Sequence, residues 1–130
     1  MKVYVAGPLA DAEAVREVQS ALVAAGHRLT LDWTQEALVA ENYASRPDAS
    51  AAMAHEMLAA VLDADAVIVV TSDDDGRGMF VELGAALARA ATGALDHVVV
   101  VGPIRRESIF YFHPHVRRVA TIEDWLTSVD

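Results

Sequence analysis

Two short stretches, Ala66-Val67-Ile68-Val69-Val70 and His97-Val98-Val99-Val100-Val101, constrain the fold more than anything else in the chain. Neither alternates apolar with polar, so neither rests one face on a core while showing the other to water. Such β-branched runs fit strands covered on both faces, which need helices above and below them. The flanking sequence supplies those helices. Val15, Val18, Leu22 and Ala25 follow Asp11 at helical spacing, and Gly26 offers a C-terminal stop. Asp48 or Ser50 is placed to cap a helix with Met53, Met57, Leu58, Val61 and Leu62 on one face. A third helix is expected over residues 79–91. Thr121 with Asp124 resembles a capping box for a last helix holding Trp125, Leu126 and Val129. Shorter strand signals lie at residues 3–6, 28–31 and 116–120. Residues 32–48 show no sustained period and read as a long loop with one helical turn, a length more often functional than idle. The expectation is an α/β fold, a flavodoxin- or Rossmann-like parallel sheet of about five strands with helices on both faces. Residues 1–130 are expected to form it as one domain.

Composition narrows the chemistry. There is no cysteine, which removes thiolate catalysis and Cys-based zinc sites and fits a reducing interior. Lys and Arg number 10 against 19 Asp and Glu, a net charge of −9 that repels a phosphate backbone, so a nucleic-acid polymer is not an expected partner. A neutral or weakly charged small molecule is the easier ligand, unless local arginines correct the field. The apolar start, Met1 to Pro8, is too short for a signal peptide, and no stretch approaches a membrane span. A cytoplasmic protein without a membrane partner is therefore expected.

In open parallel sheets, ligands bind beyond the carboxyl ends of the strands. Those ends are Gly7-Pro8, residues 71–78 and Gly102-Pro103. Glu82 is the sharpest signal there: it is the only acid on an apolar helix expected to be largely buried, and a buried carboxylate needs partners or a function. The bland alternative is capping or dipole compensation, but a capping box would put Met79 at the cap, and methionine cannot cap. A first-turn position would help keep Glu82 ionised, which favours a nucleophile over a proton donor. Asp73-Asp74-Asp75 is an acidic run of the kind usually solvated in turns, although its place makes Asp74 or Asp75 a contact for a ligand's base. No metal site is expected, because His55, Glu56 and His113 lack ligand spacing. Gly76 and Gly78 flank Arg77 without making a dinucleotide fingerprint, since Val81 stands where the third glycine belongs; they read as points of close backbone approach. Tyr4 faces the same crevice if strand alternation holds, with core packing as the alternative. The aromatic run Phe110-Tyr111-Phe112-His113-Pro114-His115 reads as a base-stacking loop or an interface.

Four segments together resemble the nucleoside 2-deoxyribosyltransferase-like family, a superfamily that also holds the 2′-deoxynucleoside 5′-monophosphate N-hydrolases. They are Tyr4-Val5-Ala6-Gly7-Pro8, Asp32-Trp33-Thr34, Ala64-Asp65-Ala66-Val67, and Gly76-Arg77-Gly78-Met79-Phe80-Val81-Glu82-Leu83-Gly84-Ala85-Ala86. The likeness spans residues 3–116, and the last segment is its most specific part. It implies a flavodoxin-like sheet and a catalytic set of Glu82 as nucleophile, Tyr4 holding its rotamer and Asp75 (or Asp74) assisting the departing base. A covalent sugar ester on Glu82 would then pass deoxyribose to another base, or to water in a hydrolase. The implied substrate contacts are Gly7, Pro8, Trp33, Asp74, Gly76, Gly78, Met79 and His113, with Glu56 on a sugar hydroxyl where the family often has Asp. No cofactor is implied. The ligands would be a nucleoside or nucleotide and a free base. A homo-oligomer is implied too, in which residues 108–115 complete a neighbour's site. The turn Leu9-Ala10-Asp11 lacks the basic and hydroxyl residues expected around a 5′-phosphate, which favours a nucleoside unless Arg105 and Arg106 fold over the site. A different class, a non-catalytic nucleotide-sensing domain, fits the same fold. A phospho-receiver fits poorly, because the first strand ends in Ala-Gly-Pro where acidic ligands would be needed.

Overall fold

Five short strands pair side by side, all parallel, in the order β2-β1-β3-β4-β5. They are β1 (Lys2–Ala6), β2 (Arg28–Leu29), β3 (Ala66–Val70), β4 (His97–Val101) and β5 (Val116–Val119). Helices α1 (Ala12–Ala24), α2 (Pro47–Asp63), α3 (Arg77–Ala91) and α4 (Ile122–Val129) alternate with them. The computed structural model describes residues 1–35, 43–73 and 76–129. This is the expected α/β architecture with flavodoxin-like strand order. All five residues of β3 are buried, as are the last four of β4, which is why neither run alternates. Each Val or Ile hidden this way contributes roughly 1.5–3 kcal/mol of hydrophobic stabilisation. Helix α1 packs with α4 and α2 with α3. The chain reverses its direction of travel across the sheet between β1 and β3, which places a crevice at their carboxyl ends.

Several boundaries differ from the sequence expectation, each for a local reason. Strand β2 stops at Leu29 rather than residue 31, although Thr30 N–H still donates to the Val3 carbonyl at 2.9 Å. Helix α2 starts at Pro47, with Arg46 at the cap and no side-chain cap, so neither Asp48 nor Ser50 caps it. Proline's fixed φ begins the helix instead, and the Ser50 hydroxyl donates to the Tyr43 carbonyl at 2.9 Å. The five apolar side chains assigned to one face of α2 do not share it. Val61 is buried and Met53 and Met57 are half-buried, whereas Leu58 and Leu62 face outward. The capping box before α4 is present: Thr121 N–H donates to Asp124 at 3.2 Å and Asp124 N–H to Thr121 Oγ1 at 3.4 Å. The aromatic loop contains a 3-10 turn, Ile109–Phe112, that no spacing signalled.

Arg89 on α3 supplies what the C-terminal end of α2 lacks. Its Nη1 donates to the carbonyls of Val61 and Ala64 at 2.8 and 2.9 Å, and Nη2 to Ala94 at 3.2 Å. Helix ends leave carbonyls without partners, and a guanidinium fork answers several at once. Arg89→Met keeps the aliphatic stem and removes these donors. It is expected to lower stability by about 2 kcal/mol in urea unfolding, with Arg89→Lys recovering only part of the loss.

Candidate active site

The crevice between β1 and β3 is assembled from both strand ends. Gly7 lets α1 approach the sheet: a Cβ there would stand 2.4 Å from Val15 Cγ2, so this glycine serves helix packing. Pro8 is buried and meets the β3–α3 loop at Gly76, where a Cβ would lie 3.3 Å from Pro8 Cα and 2.9 Å from Met79 Cβ. The two loops therefore touch at Gly76. Gly78 has open space around it, and Met79 is buried beneath the loop.

Helix α3 begins at Arg77, two residues earlier than expected, with Gly76 at its cap. Glu82 consequently lies in the second turn, and the first turn carries no acid. That corrects the idea that the helix dipole keeps Glu82 ionised. The helix is also not buried all round, because Gly78, Val81, Gly84 and Ala88 form an exposed face while Glu82 points inward with 5% exposure. Burial pushes the Glu82 carboxyl up to about 7, with a hydrogen bond from Tyr4 pulling the other way.

Tyr4 sits in the middle of β1, paired with Val67, and is fully buried. Its hydroxyl donates to Oε2 of Glu82, joining β1 to α3 beneath the crevice. Burial first, then the charge of Glu82 and the hydrogen bond itself, hold the phenol far above its ordinary value. Tyr4 thus stays a proton-bearing donor. The pair can present one carboxylate oxygen fixed by a hydroxyl and another, Oε1, for chemistry.

Other expected contacts are distributed differently. Trp33 is buried in a 3-10 turn, Trp33–Gln35, and its indole N–H donates to the Val5 carbonyl at 2.7 Å. That ties the loop after β2 to β1, with the indole donor already engaged. Asp32 organises the same turn through Thr34 N–H at 3.0 Å and Gln35 at 2.9 Å. Burial opposes its charge, but the bonds from Thr34 and Gln35 outweigh it and hold the carboxyl low. Glu56 is exposed midway along α2. His113 is half-buried, accepts from His115 N–H at 3.1 Å and stacks on that ring at 5.4 Å. Asp74 and Asp75 lie outside the described residues. Their neighbour Asp73 is held by Arg105, which sequence reasoning left as an open question about folding over the site. Tyr111 anchors the 3-10 turn by packing on Phe80 of α3, 5.6 Å between ring centres, while Ile109, Phe110 and Phe112 remain exposed. Among the described residues no group of three His, Cys, Asp or Glu could hold a metal ion. No described helix is long and apolar enough to cross a membrane.

The chain is similar in structure to the Clostridium botulinum CMP N-glycosidase BcmB, with a TM-score of 0.59 and 12% sequence identity over 100% of this chain and 99% of that one. At that identity the likeness is one of fold. No protein-family model and no curated protein matches the sequence.

A carboxyl held above its unfolded value binds its proton more tightly when folded. Its effect on stability therefore becomes unfavourable as pH rises from 4.5, the ordinary value, through about 7. Glu82→Gln preserves an acceptor for Tyr4 and never ionises. It is expected to exceed wild type by about 1–3 kcal/mol in unfolding at pH 8, with the gap closing towards pH 5.

Proposed function

We propose that the protein cleaves the N-glycosidic bond of a deoxynucleoside-type substrate, with Glu82 attacking the anomeric carbon. The observation that carries this reading is the buried Tyr4–Glu82 pair at the β1/β3 crevice. A lone inward acid on an otherwise apolar helix face destabilises the folded chain when it ionises, and such a cost is commonly kept where a reaction needs it. With Oε2 held by Tyr4, Oε1 forms the bond to C1′ as the C1′–N bond breaks. The electron pair leaves with the base, which takes up a proton; Asp75 or Asp74 is the proposed donor. An acceptor base, or water losing its proton, then breaks the sugar ester and restores the carboxylate.

A carboxyl near pH 7 suits this role, being substantially ionised at neutral pH yet more nucleophilic than an ordinary glutamate. The shared fold with an N-glycosidase supports bond cleavage and favours water as acceptor. Transfer to a second base, which the sequence resemblance favours, uses the same first step. The exposed Ile109, Phe110 and Phe112 suit the proposal that this segment meets a second subunit.

Wild type is expected to release free base from at least one deoxynucleoside or its 5′-monophosphate, with an acid limb centred near pH 7. Glu82→Gln should lose about 10³-fold or more in kcat. Full turnover by that variant would reject the nucleophile. Ligand binding without any product on long incubation would favour a sensing domain instead. Adding a free acceptor base separates exchange, seen as a new nucleoside, from hydrolysis, seen as free sugar.

A further inference from the structure

Helix α2 is mostly alanine, methionine and leucine, yet of its 17 residues only Ala60 and Val61 are buried. Its outward stripe is Ala51, His55, Leu58 and Leu62, with the two leucines 39% and 54% exposed. The neighbouring α3 turns Val81, Gly84 and Ala88 outward, with Val81 65% exposed. Helix α1 is built differently, since Glu13, Arg16 and Glu17 occupy its outer positions. Right-handed crossovers put α2 and α3 on one side of the sheet, running in the same direction. The bonds from Arg89 to the Val61 and Ala64 carbonyls set their lower ends level. The two stripes therefore form one apolar face, of the kind that a partner covers.

Gly84 is a second, independent sign. Glycine weakens a helix interior, and a Cβ at Gly84 would meet nothing within 4 Å. Nothing among the described residues calls for it, whereas a helix approaching from outside to about 8 Å does. Helices of 17 and 15 residues side by side present a strip roughly 25 by 20 Å. With its relief counted, that approaches the roughly 600–1,000 Å² per partner of a stable interface. The pattern of side-chain size names the occupant. The α2 stripe runs from small Ala51 to large Leu62, and the α3 stripe from large Val81 to small Ala88. A two-fold axis across both helices makes each antiparallel to its own copy. Leu62 then lies over the copy's Ala51 and Val81 over its Ala88, with Gly84 at the crossing. The same axis sets the end bearing Arg46 and Arg77, where Asp48 is the opposing charge, over the end bearing Asp63 and Asp65. We infer that the outer face of α2 and α3 is a two-fold interface with a second copy of this chain. It uses other residues than the segment 108–115 that the resemblance assigns to a neighbour, and it does not depend on the glycosidase reading.

The test is sedimentation equilibrium of the full chain at micromolar concentration, with circular dichroism as the check on folding. Wild type should sediment as a dimer. L62E/V81E changes only positions open in the single chain and should give a folded monomer, its dissociation constant raised about a hundredfold or more. G84Q should weaken the pair at least tenfold while keeping the helix signal, and F110S/F112S should leave it intact. The chain has no cysteine, so V81C/A88C reports orientation. Those two thiols stand two turns apart in one chain, too far to join, and oxidation should yield a covalent dimer that A88C alone does not. A monomeric wild type, a folded L62E/V81E that still dimerises, or a dimer that V81C/A88C leaves unlinked overturns the inference. Should L62E/V81E fail to fold, a G84Q chain that pairs as tightly as wild type overturns it as well. None of these measurements uses turnover, so an inactive protein that passes them would sink the glycosidase reading alone.

Discussion

One buried hydrogen bond, from the Tyr4 hydroxyl to the Glu82 carboxylate, is the interaction on which the site depends. It joins the strand at the centre of the topological switch to the helix that follows the next strand. Its two ends are brought together only by the sheet order that sets β1 beside β3. Without the hydroxyl, a carboxyl with 5% exposure would rely on protonation alone to lie there. With it, the group keeps a value at which charge is available near neutrality.

The rest of the molecule can be understood as support for that contact. Pro8 against Gly76 sets where α3 begins, and the starting point sets which turn presents Glu82 inward. Trp33 secures the far side of β1 through the Val5 carbonyl. Phe80 and Tyr111 couple the outer flank of α3 to the segment after β4, so both sides of the helix are braced. The opposite end of α3 is secured by the Arg89 fork. These contacts are buried or half-buried. The Asp73–Arg105 pair, by contrast, is open to solvent.

Much of this was legible in the residues themselves. The unbroken valine runs of β3 and β4 announced a doubly covered parallel sheet, and the lone acid at Glu82 stood out against its apolar helix. What misled was the start of α3: two residues decide between the first turn and the second, and periodicity does not resolve an end that Gly76 and a contact with Pro8 determine. The Glu82 carboxyl departs from expectation for the same reason, since desolvation outweighs a dipole that acts mainly within the first turn. Leu58, Leu62 and Val81 face outward because helical spacing identifies an apolar stripe without saying what, if anything, covers it. The Arg105–Asp73 and Thr71–Pro103 contacts join residues about thirty positions apart, and no local pattern signals such pairs.

The central claim, that Glu82 forms a bond to the sugar, is tested most directly by mass spectrometry of the quenched enzyme. A 2-fluoro deoxynucleoside analogue, whose electron-poor sugar slows release of the ester, should leave one glycosyl adduct on the peptide spanning residues 78–89. Fragmentation should place it on Glu82, and Glu82→Gln should carry none. Base release accompanied by an adduct on another residue, or by none when release is stoichiometric with enzyme, would contradict the account.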